Sequence, residues 1–146
     1  MIVYLDSSVL ARIYLRDEPG HDEAVKLINN PEIGFITGGW TRIEVSGALV
    51  RAARIGRGNE KDLLTLLDMD LAVDGLVTLV AADQEQVERS ALNLVREHTI
   101  RAMDAWHLAV ASLTFPSLVE PGEETGFATR DEAQSEVARL LGMLTF

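Results

Sequence analysis

The chain has no cysteine, which excludes disulfides and thiolate metal sites and suits a reducing cytosol. Lysine is nearly missing, with only Lys26 and Lys61, both in helical stretches. No apolar run is long enough to span a bilayer. The longest uncharged stretch, Ala105 to Val119, contains His107 and is broken by Pro116. Asp6 and Arg12 interrupt the N-terminal apolar run, so no signal peptide and a cytoplasmic location are expected. Positive charge is short: 13 Lys and Arg face 23 Asp and Glu, a net charge of −10. Such a balance argues against generic nucleic-acid binding, which shows a basic footprint. It suits a cation or a basic protein partner, and nucleic-acid binding has to account for the acidity, for instance by carboxylates clustered around a metal with arginines elsewhere.

What is present is a globular composition, 47% hydrophobic over 146 residues, which fits one domain, 1–146, with a single sizeable core. No repeat or low-complexity segment occurs. Strand and helix signals alternate. Strands are expected at Ile2–Leu5, Ile33–Thr37, Leu76–Val80, Phe127–Thr129 and Met143–Phe146. Helices are expected from Ser7 or Ser8 to Leu15, over His21–Asn30 and Thr41–Ile55, after an Asn59 cap, from Asp83 to about Glu97, over Ala102–Phe115 and over Asp131–Leu141. Pro116–Thr125 reads as a loop. The alternation predicts an α/β fold with a parallel sheet covered by helices on both faces.

Four carboxylates stand out. Asp6 ends the first strand, and ligands of open parallel sheets bind at the carboxyl ends of strands; capping the next helix accounts for it equally well. Glu44 has Trp40, Thr41, Gly47 and Ala48 three and four residues away, so no local ion pair is available to it, and a surface glutamate is the commoner case for any single Glu. Asp104 lies in AMDAWHLAVASL, apolar nearly all round and therefore buried. A buried carboxylate costs several kcal/mol unless paired or bound to metal; Arg101 and His107 are its local partners. His107 reads as a hydrogen-bonded core histidine rather than a ligand or base. Asp131 again follows a strand, and with Gln134 it has capping-box spacing.

If the helices carrying Glu44 and Asp104 start at the edge where Asp6 and Asp131 end their strands, four like charges converge, which is unfavourable unless a cation offsets it. An all-oxygen site suits Mg²⁺ or Mn²⁺, and such sites activate water and stabilise phosphoryl oxygens. Arg51, Arg54 and Arg57 recur every third residue near the end of the Glu44 helix. They form either a solvated face complementing the helix dipole or a phosphate-contacting strip. Arg12 and Arg16, on the helix after Asp6, are placed for the same task or for a partner's carboxylate.

The segments YLDSSVLARIY, TRIEVSGAL, RAMDAWHLAVA and FATRDEA, in this order and spacing, resemble the PIN domain, and more narrowly the VapC-type ribonuclease toxin of a toxin–antitoxin pair. The resemblance covers essentially the whole chain. It implies a three-layer α/β/α fold with a central parallel sheet. It further implies metal-dependent RNA cleavage with Mg²⁺ or Mn²⁺, a homodimer, and a cognate antitoxin partner. The family's acidic positions match Asp6, Glu44, Asp104 and Asp131, with Asp6 and Asp104 holding the principal cation. Its hydroxyl residues beside the first and last acids match Ser8 and Thr129, and Arg12, Arg51 and Arg54 are placed for RNA or antitoxin. Two departures stand out. Gly38-Gly39 replaces a frequent hydroxyl residue, and the PSLVEPGEETG loop is long and acidic, so Glu120, Glu123 or Glu124 competes with Asp131 as fourth acid. Other acidic α/β classes fit less well. A phosphoryl-accepting receiver needs a lysine at a late strand end, and a haloacid-dehalogenase phosphatase needs an aspartate at position 8. A non-catalytic PIN-like binding module stays open.

Overall fold

Residues 1–146 are described by a computed structural model. In chain order the elements are β1 (Ile2–Leu5), α1 (Ser7–Tyr14), α2 (His21–Ile28), β2 (Gly34–Gly38), α3 (Gly39–Arg54), α4 (Glu60–Asp70), β3 (Val77–Val80), α5 (Gln84–His98), α6 (Ala102–Thr114), a single 3₁₀ turn (Phe115–Ser117), β4 (Thr125–Ala128), α7 (Glu132–Leu140) and β5 (Leu144–Thr145). The five strands form one sheet in the order β3-β2-β1-β4-β5, and every pairing is parallel.

Strand alternation sorts the core into two layers. Val3 and Leu5 of β1, with Phe35, Val77 and Ala128, face the helices α1 to α4. Tyr4, Ile36 and Phe127 point the other way, into α5, α6 and α7. A sheet covered on both faces produces the near-continuous apolar strands expected of parallel pairing. No helix is long and apolar enough to cross a membrane.

The chain begins in the middle of the sheet. From β1 it runs outward through β2 to β3, then returns to place β4 on the other side of β1. The order therefore reverses at β1, the place where open parallel sheets form a crevice at the carboxyl edge. Asp6 is the first residue beyond β1.

The expected elements are all present, with shifted ends. β4 starts at Thr125 rather than Phe127 and ends one residue early, at Ala128. Its start was hidden because Gly126 carries no strand signal; Gly126 is required there because a Cβ would stand 2.6 Å from Phe146 and 2.9 Å from Val3. Helix α3 begins at Gly39, two residues before Thr41. Thr41 lies inside the first turn, its hydroxyl 2.7 Å from that of Thr37. β5 is only two residues long, at the sheet edge.

Candidate functional site

Because all strands are parallel, the residues that follow β1, β2 and β4 emerge at one edge. Asp6 caps α1: its Oδ2 accepts the Ser8 N–H at 3.0 Å, and the Asp6 N–H donates to the Ala128 carbonyl at 3.0 Å. It is 5% exposed. The cap and the site reading of Asp6 are thus compatible, since Oδ1 stays free of the cap. Asp131 caps α7 through Gln134 N–H, at 3.0 Å. Its own N–H donates to Thr129 Oγ1 at 3.1 Å, and Ser8 Oγ accepts the Arg130 N–H at 3.1 Å. The two hydroxyls therefore hold the turn after β4 against the start of α1.

Asp104 lies in the first turn of α6 and is half-buried. Its carboxyl is held above the usual range, first by burial, then by the negative charges of Asp131 and Asp6, with Arg101 and His107 opposing. Asp104 thus feels the charges of both Asp131 and Asp6. Glu44, in the second turn of α3, reaches the crevice through His107, whose Nε2 lies 2.7 Å from Glu44 Oε2 and 3.6 Å from Asp6 Oδ1. No three acidic or histidine side chains stand close enough to enclose a metal ion as they are. The donor set nonetheless fits an oxygen-seeking divalent cation. It is carboxylate-only, its members repel one another, and Mg²⁺ keeps several waters instead of demanding an all-protein cage.

The competing loop acids lie elsewhere. Glu123 pairs with the Met1 ammonium at 2.9 Å, and the loop precedes β4, so Glu120, Glu123 and Glu124 sit toward the opposite edge of the sheet. Gly38 ends β2 where a Cβ would stand 2.8 Å from the Tyr4 hydroxyl and 2.9 Å from the Trp106 ring. The Tyr4 hydroxyl fills that space and accepts the Gly38 N–H at 3.0 Å.

The arginine strip is shorter than its spacing implied. Helix α3 stops at Arg54, and Arg57 lies beyond it, clamped by Asp17 at 2.7 Å and Glu18 at 2.5 Å. Arg51 and Arg54 have no carboxylate partner, and Arg12 donates only to the carbonyls of Pro19 and Ser8. All three line a cleft of about 1020 Å³ between α1 and α3, floored by Ala11, Ala48 and Ala52 and reaching Ser8 and Glu44. Gly47 leaves room for the Arg51 guanidinium, 3.2 Å from where a Cβ would stand.

Gln134 has a larger part than its capping-box spacing suggested. Fully buried, it accepts the Thr129 hydroxyl at 2.5 Å and donates to the Asp104 carbonyl at 3.2 Å, tying α7 to α6 beneath the acids. The spacing pointed to a local cap; only the packing of α7 on α6 turns the amide inward. Gln134→Met keeps the volume and strands the Thr129 hydroxyl. It is expected to lower stability by about 1–2 kcal/mol in chemical denaturation.

A model of the PIN domain family matches residues 3–140. No functionally curated protein matches the sequence. Among solved structures, the chain is similar to one from VapBC-1 of nontypeable Haemophilus influenzae, with a TM-score of 0.57, 14% identity, and coverage of 100% of this chain and 97% of that one. At that identity the likeness is one of fold.

Proposed function

The chain belongs to the PIN domain family, and from that premise we propose that it is a divalent-cation-dependent endoribonuclease, the toxin of a toxin–antitoxin pair. The observation that carries this reading is the Asp104 carboxyl, held up first by burial and then by the charges of Asp131 and of Asp6, the residue at the reversal of strand order. The acids that follow β1 and β4 and the one in the first turn of α6 lie near enough for Asp104 to feel the other two, and gathering like charges is costly without a cation.

Asp6 and Asp104 are the residues to hold a Mg²⁺ or Mn²⁺ ion, with Glu44 and Asp131 completing the set. Such a cation supplies an activated water at neutral pH and stabilises charge on phosphoryl oxygens. The chain's own residues do the rest. Ser8 and Thr129 fix the backbone on either side of the crevice. Arg12, Arg51 and Arg54 line the cleft that leaves it and offer unpaired cations to a phosphodiester backbone or to acidic side chains of an antitoxin. The antitoxin and a homodimer belong to this reading through the VapC-type motifs and the fold shared with VapBC-1. Both lysines are in helices, Lys26 in α2 and Lys61 in α4, so no strand end carries the lysine a receiver needs.

The test is cleavage of single-stranded RNA by the purified chain with Mg²⁺ or Mn²⁺ and with chelator. Cleavage only with the cation is expected; a folded chain inert under both conditions is a binding module. The Arg51→Glu/Arg54→Glu variant is expected to bind RNA more weakly. Its logarithmic salt dependence should be shallower by about 0.7 for each phosphate that the two side chains no longer neutralise. An unchanged slope would remove these arginines from the RNA path.

A further inference from the structure

A chain of buried polar contacts runs from the middle of the sheet to its acidic edge. Tyr4 is fully buried, stacked on Phe127 with ring centroids 5.3 Å apart. Buried there, its hydroxyl has partners only within the protein. The oxygen accepts the Gly38 N–H at 3.0 Å and lies 2.9 Å from His107 Nδ1. His107 is 1% exposed, with Trp106 packed edge-on at 5.4 Å and 88°.

The far nitrogen of that ring faces carboxylates alone, Glu44 Oε2 at 2.7 Å and Asp6 Oδ1 at 3.6 Å. A carboxylate oxygen offers only lone pairs, so Nε2 must carry a hydrogen and donate it. The shorter distance is a hydrogen bond and the longer one is not. Glu44 thereby has one oxygen engaged, while its Oε1 accepts no hydrogen bond from the protein. The Glu44 side chain is about one-third exposed, and nothing else in the fold holds it. Without the imidazole, repulsion from Asp6 and an open path to solvent would both carry it away from the crevice.

We propose that His107 is a positioning residue: gripped by Tyr4 and Trp106, it donates from Nε2 to Glu44 and so holds that carboxylate beside Asp6 with its second oxygen open. This role rests on the cation-dependent reading for its consequence, though not for the contact itself. Groups that orient the residues around a metal are worth ten- to a hundredfold in affinity. His107→Leu is therefore expected to weaken Mn²⁺ binding, measured by calorimetry on the folded protein, by roughly ten- to a hundredfold. It should lower kcat for RNA while leaving KM nearly unchanged. His107→Gln, whose amide N–H reaches toward the place of Nε2, should recover most of both.

A second readout needs no cation. In the metal-free protein an imidazole N–H resonance of His107 should appear far downfield in nitrogen-edited NMR and move upfield in Glu44→Gln. If His107→Leu does not fold, this resonance and His107→Gln decide. The positioning role is overturned by wild-type Mn²⁺ affinity and kcat in folded His107→Leu, by a His107→Gln no better than His107→Leu, or by an N–H resonance indifferent to Glu44→Gln. A wild-type protein that binds no Mn²⁺ overturns the nuclease reading instead, and the NMR arm still judges the contact.

Discussion

Asp104→Asn is expected to lower cation-dependent RNA cleavage by roughly a thousandfold or more, while the protein folds and, without metal, is more stable than the wild type. The amide keeps the shape of the side chain and removes its charge. Loss of a cation ligand forfeits several kcal/mol of charge stabilisation, and about 4 kcal/mol corresponds to three powers of ten in rate. The gain in stability has a separate cause. Burial and the charges of Asp131 and Asp6 oppose ionisation of Asp104, and a neutral amide at this position escapes all three penalties. RNA cleavage and thermal unfolding of the same preparation check both halves. Wild-type cleavage by the folded variant would remove Asp104 from the site, and a drop in metal-free stability would mean that its charge is compensated by Arg101 or His107.

Divalent cations should stabilise the wild-type fold and reverse its pH dependence at this site. At a Mn²⁺ concentration of 100 times its dissociation constant, linkage contributes about 2.7 kcal/mol. That corresponds to a rise in Tm of about 5–10 °C for a domain of this size. The pH behaviour follows from Asp104. Its folded-state pKa is raised, so on titrating upward from about 4 the unfolded chain releases this proton first. The metal-free fold loses stability across that window, and the loss is complete once the pH passes the raised value. Bound Mn²⁺ favours the ionised carboxylate and should flatten or invert the slope. Calorimetric scans at several pH values, with cation and with chelator, read this directly, with Asp104→Asn as control. Equal Tm with saturating Mn²⁺ and with chelator would sink the cation site.

Much of the fold is legible from period and punctuation. The Ile2–Leu5 strand, the Asp6 turn and the helix after it follow from an apolar run cut by a residue able to cap. The apolar α6 announces its own burial, yet Asp104, expected to be buried with it, is only half-buried because it sits in the first turn at the sheet edge. Less legible is whatever depends on elements distant in sequence. Arg57 continues the spacing of Arg51 and Arg54, yet the helix has ended and Asp17 and Glu18, some 40 positions away, hold it. The acids at 120–124 stand near Asp131 in sequence, yet β4 intervenes and leads the two groups toward opposite edges.

By itself the amino-acid sequence determined the alternation of strands and helices, the parallel pairing that alternation demands, and the four acids at strand ends and helix starts. Local propensity, capping chemistry and the cost of a buried charge are properties of short stretches, so a linear reading reaches them. Only the tertiary structure decided that β1 lies between β2 and β4, which makes Asp6 the residue at the reversal of strand order. It alone turned the Gln134 side chain onto the Asp104 carbonyl while its N–H stays in the helix cap, and set His107 between Tyr4 and Glu44, residues 103 and 63 positions away. Such contacts arise because a buried donor or acceptor must find a partner wherever packing leaves one, and sequence separation does not enter that requirement.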